Sequence, residues 1–172
     1  MKFREGWSSH LPVLVRVMEN SAGDVLEIGM GLFSTPLLHW MCNDQGRRLV
    51  SYENDEKYFD LDITYRSRLH EVKLVKGWDD ADIENQHWGV VFVDHAPARR
   101  RKIELKRIAD KADIIICHDT DDSTNRFYRW HWVFPKFKYQ YRYEKASPNT
   151  TVLSNTVDVA RLFGQNDPVN PN

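Results

Sequence analysis

Cysteine is scarce: Cys42 and Cys117 are the only two in 172 residues, which argues against a small secreted domain stapled by disulfides. Long apolar runs are absent, and nothing approaches the roughly 18–20 residues of a membrane span. The opening Met1-Lys2-Phe3-Arg4-Glu5-Gly6-Trp7 lacks the apolar stretch a signal peptide needs. An excess of one charge is missing too. With 24 Lys+Arg against 25 Asp+Glu the formal net charge is -1, which argues against a general nucleic-acid coat and leaves room only for a local basic patch. These absences lead to the expectation of a soluble, reduced, cytoplasmic protein without a membrane segment. What is present is a hydrophobic fraction of 41% with 12% aromatics, enough for a real core and against wholesale disorder. No Pro/Ser/Gly linker or internal repeat divides the chain. Residues 1–172 therefore read as one domain with a core over about 20–160 and a flexible tail over 161–172.

A short β-rich apolar run followed by a polar, helix-compatible stretch recurs along the chain. A leading helix over about 8–20 precedes a strand at Asp24–Ile28, and a glycine turn leads into a helix over Ser34–Asn43. A strand at Arg48–Tyr52, a helix over about 55–70, and strands at Val72–Val75 and Gly89–Val93 follow. A helix carrying Arg99-Arg100-Arg101 then leads to a strand at Ala112–Cys117. The last two strands are continuously apolar, as strands of a parallel sheet covered on both faces are. Alternating strands and helices select a doubly wound α/β architecture. The tail breaks this rhythm. Phe137, Tyr139, Tyr141 and Tyr143 alternate with polar residues, and Ser147-Pro148-Asn149 leads into Thr150–Ser154, which together read as an antiparallel hairpin.

Glu27-Ile28-Gly29-Met30-Gly31-Leu32-Phe33-Ser34 stands where the first strand gives way to a helix. Gly29 can take positive φ, Gly31 lets backbone approach a ligand, and the helix from Ser34 offers free N–H groups. An acid at the end of the second strand is expected to hold ribose hydroxyls, and Glu53, with Asn54 beside it, is there. A tight turn with a solvated Glu53 is the plainer reading. The third glycine of a dinucleotide fingerprint is replaced by Ser34, and no P-loop lysine pattern occurs. An acid two residues before the first glycine suits a cationic amino group and repels a pyrophosphate.

Glu27-x-Gly29-x-Gly31 with Glu53, five alternating units and a final hairpin resemble the class I, Rossmann-like S-adenosylmethionine-dependent methyltransferases over about residues 20–160. The resemblance implies a mainly parallel seven-stranded sheet with helices on both faces, a C-terminal hairpin and an antiparallel last strand. It implies that Glu27, Gly29 and Gly31 line the methionine moiety and that Glu53 holds the ribose. It places the adenine near Gly77 and Trp78, with Trp78 as a stacking face or, alternatively, plain core.

Asp94-His95 follows the fourth strand and His118-Asp119-Thr120-Asp121-Asp122 the fifth, so both clusters should converge on the rim that carries the glycine turn. Asp94 is also assigned to the cofactor site. Two chemistries compete there. Asp94 and Asp119 could hold Mg²⁺, as acids after these strands do in the catechol-type O-methyltransferases, although Thr120 stands where that group has Asn. Without a metal, His95 or His118 would serve as general base, hydrogen-bonded rim residues and a helix cap being the plainer roles. Asp94-His95-Ala96-Pro97 is not the Asp/Asn-Pro-Pro-aromatic motif of base N-methylation, which argues against a nucleic-acid substrate. The Phe127–Phe134 aromatics roof a substrate pocket or pack under the hairpin. Lys136, Lys138 and Arg142 with the tyrosines read as an amphipathic strand with one solvated face, and Arg99–Arg101 as a solvated helix start. The expectation is O-methylation of a small-molecule or saccharide-like acceptor. The alternatives are lyase or aminopropyl-type use of the same cofactor, or a non-catalytic adenosyl-ligand-binding protein.

Overall fold

The computed structural model describes residues 6–164, in which seven strands form one sheet of order β3-β2-β1-β4-β5-β7-β6. The strands are β1 (Val25–Ile28), β2 (Leu49–Glu53), β3 (His70–Leu74), β4 (Trp88–Val93), β5 (Ala112–Cys117), β6 (Tyr139–Tyr143) and β7 (Thr150–Ser154). The helices are α1 (Leu11–Glu19), α2 (Ser34–Gln45), α3 (Glu56–Asp62), α4 (Arg101–Ile108) and α5 (Asn125–Tyr128). Strands β1 to β5 are parallel, and β7 runs antiparallel between β5 and β6. The doubly wound sheet with its C-terminal hairpin is the architecture the sequence implies. The hairpin's order is the added fact: its second strand inserts beside β5 and leaves β6 at the edge.

Successive side chains of a strand point to opposite faces, and the apolar residues divide accordingly. Val25, Val90, Phe92, Ile114, Ile116 and Val152 pack with Val13, Leu14 and Val17 of α1 and Leu38 of α2. Leu26, Ile28, Val91, Val93, Ile115 and Leu153 pack on the other face with Trp78, Trp88, Leu105 and Trp130. Cys42 and Cys117 are buried and free, as small apolar core residues are, and burial pushes the Cys42 thiol up to about 12.

Three boundaries differ from expectation. The helix expected over 55–70 ends at Asp62, where Ile63–Tyr65 tightens into a 3₁₀ turn; the β-branched Ile63 and Thr64 are poor helix formers. The third strand starts two residues early because the His70 ring turns inward, toward Ser51. Residues 161–163, expected to open a flexible tail, belong to the 3₁₀ segment Val159–Phe163, with Phe163 stacked on Tyr141 at 4.1 Å. The rest of that tail, 165–172, lies outside the described residues. Trp130 is buried between Tyr128 and Phe134, so the aromatic stretch is mainly packing, with Phe127 and Trp132 exposed. Among the described residues, no helix is long and apolar enough to cross a membrane.

Candidate active site

Strand order reverses between β1 and β4, and ligands of open α/β sheets bind beyond the carboxyl ends at such a point. A cavity of about 430 Å³ opens there, within the range of about 300–1,000 Å³ of small-molecule sites. Its wall takes Met30, Gly31 and Ser34 from the turn after β1, Glu53 from the end of β2, and Asp94 from the end of β4. His118 and Asp119 come from the end of β5, His10 and Trp7 from the segment before α1, and Pro148 from the hairpin turn. The register Ile28↔Val93 and Val93↔Cys117 sets Gly29, Asp94 and His118, the next residues along, side by side across three strands.

The glycine turn is held from beneath. Glu27 is fully buried and outside the cavity wall, where it supports the turn. Its carboxylate accepts from Thr35 Oγ1 at 3.0 Å, and that hydroxyl accepts the Gly31 N–H at 2.9 Å. It also accepts from Ser51 Oγ at 2.6 Å. Because the Ser51 proton is committed there, Ser51 accepts from His70 Nε2–H at 2.8 Å. His70 Nδ1 is then the acceptor facing His39 Nδ1 at 3.1 Å. Burial, and then His39, push the His70 pKa down to about 4, which keeps it in this neutral tautomer.

Gly29 has φ +94°, and a Cβ there would stand 2.5 Å from His95 Cα. Packing against the end of β4 therefore demands this glycine, and it does not line the cavity. Gly31 does, and a Cβ on it would meet only Ser34 Oγ at 3.5 Å. Glu53 is 5% exposed and accepts the Met30 N–H through Oε2 at 2.8 Å. Its Oε1 accepts the Asn54 and Asp55 N–H groups at 2.7 and 2.9 Å. Burial raises its pKa against these three bonds. Asn54 itself sits on an adjoining shallow rim with Pro97. Gly77 and Trp78 do not line the cavity. Trp78 is core, donating from its indole to the Ala96 carbonyl at 2.6 Å with its ring 4.3 Å from that of His95.

The other half of the wall is a charge cluster. Arg101, expected on a solvated helix start, is 5% exposed and reaches back under the rim. It donates to the His95 carbonyl at 2.7 Å and pairs with Asp94 Oδ1 at 2.9 Å and Asp119 Oδ2 at 3.2 Å. Burial would raise the Asp94 pKa, but Arg101 and His118 hold it far below the usual carboxylate range. Asp119 also accepts from the Tyr128 hydroxyl at 2.8 Å, and its backbone sits at φ 58°, in the left-handed region that non-glycine residues rarely adopt. A guanidinium thus bridges the two acids proposed to share Mg²⁺. The Thr120 hydroxyl is likewise spent on Thr151 at 2.8 Å. These residues do not fit that ion.

His118 is 4% exposed and faces Asp94 through Nδ1, 3.2 Å from both carboxylate oxygens. Its Nε2 lies 2.8 Å from Ser9 Oγ, and Ser9 donates its own proton to the Pro148 carbonyl at 2.8 Å. His118 is therefore the donor at both nitrogens. Burial lowers its pKa, but Asp94 outweighs that and leaves it raised. His95 also lines the cavity; its side chain is buried with Nε2 3.1 Å from Glu104 Oε2, and burial pushes its pKa down. His118 has no unprotonated nitrogen to offer as a base, whereas His95 keeps Nδ1 without a hydrogen-bond partner. His10, which the sequence reading passed over, is 2% exposed on the cavity wall with both ring nitrogens unpartnered. Its only sequence signal is Ser9-His10 ahead of a Pro-started helix.

No family model matches this sequence, and no curated protein matches it. Solved structures do. The O-methyltransferase TomG from Streptomyces achromogenes, in complex with SAM, is 16% identical with a TM-score of 0.61 over 87% of this chain and 79% of that one. An O-methyltransferase from Bacillus cereus, in complex with SAH, is 16% identical with a TM-score of 0.61 over 89% and 82%. The SAH-bound Podospora anserina methyltransferase PaMTH1 is 13% identical with a TM-score of 0.62 over 90% and 79%. At these identities the likeness is one of fold: this chain has the class I, Rossmann-like methyltransferase fold.

Proposed function

We propose that this chain is an S-adenosylmethionine-dependent methyltransferase acting on an oxygen of a small-molecule or saccharide-like acceptor. The observation that carries the reading is the meeting of Gly31, Glu53 and Asp94 on one cavity at the switch point. Bound S-adenosylmethionine supplies an electrophilic methyl group on a cationic sulfonium. The residues fit such a ligand. A carboxylate accepts about four hydrogen bonds, and Glu53 uses three on backbone N–H groups, which leaves one for a ribose hydroxyl. Asp94, ionised and a quarter exposed, presents a carboxylate on the wall, paired with Arg101 and His118. Gly31, with open space at its Cα, lets the ligand lie on the turn.

The acceptor would rest against Trp7, His10 and Pro148, which line the same cavity as the glycine turn. Positioning carries most of the rate in this reading, because transfer to an aligned nucleophile depends chiefly on holding it in line with the methyl group. The test is product analysis. The protein is incubated with S-adenosylmethionine and a panel of hydroxylated acceptors, and the nucleoside product is identified by mass spectrometry. S-adenosylhomocysteine with a methylated acceptor is expected. Methylthioadenosine would replace this reading with lyase or aminopropyl-type chemistry, and tight cofactor binding without turnover would make the chain a sensor.

A further inference from the structure

We propose that His10, Asp94 and His118 form a binding site for a divalent transition-metal ion in the wall of the same cavity. One ligand atom from each lies within 4.8 Å of the others, although the residues come from the segment before α1 and the ends of β4 and β5. The site is distinct from the Asp94–Asp119 pair, which Arg101 bridges. It stands on donor chemistry and does not depend on what the cavity turns over.

Four features support it. First, His10 is a buried polar side chain with neither nitrogen hydrogen-bonded, and it faces the cavity beside two possible co-ligands. Buried polar groups are nearly always partnered, and an orphan of this kind calls for an explanation. Second, the His118 ring is already oriented as a metal-bound imidazole is. Ligating histidines donate their second N–H to an outer partner that fixes the ring. Here Nε2 donates to Ser9 Oγ, itself anchored on the Pro148 carbonyl, while Nδ1, whose N–H faces Asp94, would release that proton to solvent as the ion binds.

Third, Arg101 takes Oδ1 of Asp94 and leaves Oδ2 for an ion. Ligand atoms about 2.0–2.1 Å from a tetrahedral zinc stand roughly 3.3 Å apart. His118 Nδ1 and Asp94 Oδ2 are 3.2 Å apart, so only His10 has to close in. Fourth, two imidazoles and one carboxylate suit zinc, cobalt or nickel, whereas Mg²⁺ takes oxygen ligands. The cavity would supply the remaining position from water or a bound oxygen.

The test uses the full chain without a histidine tag, stripped of metal and titrated with Co²⁺ and Zn²⁺. Equilibrium dialysis is expected to give one ion per chain, and Co²⁺ to give the visible absorption of a four- or five-coordinate nitrogen–oxygen site. Zn²⁺ is expected to raise the thermal midpoint. His10→Gln should abolish the stoichiometric ion, with its fold checked by circular dichroism. Ser9→Ala, which touches no ion, should weaken binding by about 10–100-fold, as loss of an outer partner does. His131→Ala, at an exposed histidine, should change nothing. Wild-type metal affinity in His10→Gln, or no stoichiometric ion in the unaltered chain, would overturn the proposal. Neither readout involves S-adenosylmethionine, so failure here and failure of the methyl-transfer reading are separate results.

Discussion

Beneath the glycine turn, Glu27, Thr35, Ser51, His70 and His39 pass hydrogen bonds from one to the next, and the turn rests on a closed polar network. Across the switch point, Asp94, Asp119, His118 and Arg101 balance charge at the cavity wall, and neither ring nitrogen of His10 has a hydrogen-bond partner. The first cluster spends its polar groups on itself and presents backbone and one acid, Glu53, to a ligand. The second keeps ionised and unpartnered groups on the surface a ligand would touch. A satisfied buried network rigidifies, whereas an unsatisfied one is costly and marks where something is to be received. On this contrast the half beneath the glycine turn is scaffold, and the β4–β5 half keeps the charged and unpartnered groups.

The contrast breaks most severely at Arg101. Arg101→Met removes the guanidinium bridging Asp94 and Asp119, and chemical denaturation should show a loss of about 3 kcal/mol. That is the lower end of the range for breaking a buried pair, because both acids remain about a quarter exposed. No loss would mean that solvent already neutralises the cluster.

Acid should weaken both halves through their neutral histidines. His10 and His70 have pKa values lowered by burial to about 4, below the ordinary 6.5. Between these limits the unfolded chain binds protons that the folded chain refuses. Each histidine therefore lowers stability by up to about 1.4 kcal/mol per pH unit as pH falls from 6.5 toward 4. His118 has the opposite sign. Its raised pKa contributes stability that is full below 6.5 and is lost as pH rises through the folded value. Denaturation midpoints measured across pH 4–8 check this, and His70→Gln should flatten the acid limb by one histidine's share. An unchanged slope would place His70 in contact with solvent.

The smallest effect separates lining from core. Glu53→Gln should weaken S-adenosylmethionine binding by about 1 kcal/mol in calorimetry, the net value of one hydrogen bond. Trp78→Phe should leave affinity unchanged while removing the bond to the Ala96 carbonyl. If Trp78→Phe alters affinity and Glu53→Gln does not, the adenine lies where the resemblance implied and the ribose assignment fails.

Much of the glycine-turn half was legible because its signals are local. The Glu27–Ser34 turn, the Glu53 strand end and the unbroken apolar runs of β4 and β5 follow from steric and burial rules acting over a few residues. Direction was less legible. Glu27 and Gly29 mark the turn correctly, yet one side chain points beneath it and the other position is filled by the His95 backbone. Asp94 and His95 are neighbours in sequence and both line the cavity, yet the Asp94 carboxylate meets Arg101 and His118 while the His95 ring turns to Glu104.

By itself the sequence determined the α/β alternation, the hairpin and the rim on which the acids fall, since hydrophobic period and turn chemistry are properties of short segments. Only the tertiary structure decided that Arg101 would bridge Asp94 and Asp119, that β7 would lie beside β5, and that Ser9 would meet His118 from 109 residues away. Those contacts arise from the packing of distant elements on a common sheet. Their energy depends on burial and on partners that no local pattern encodes.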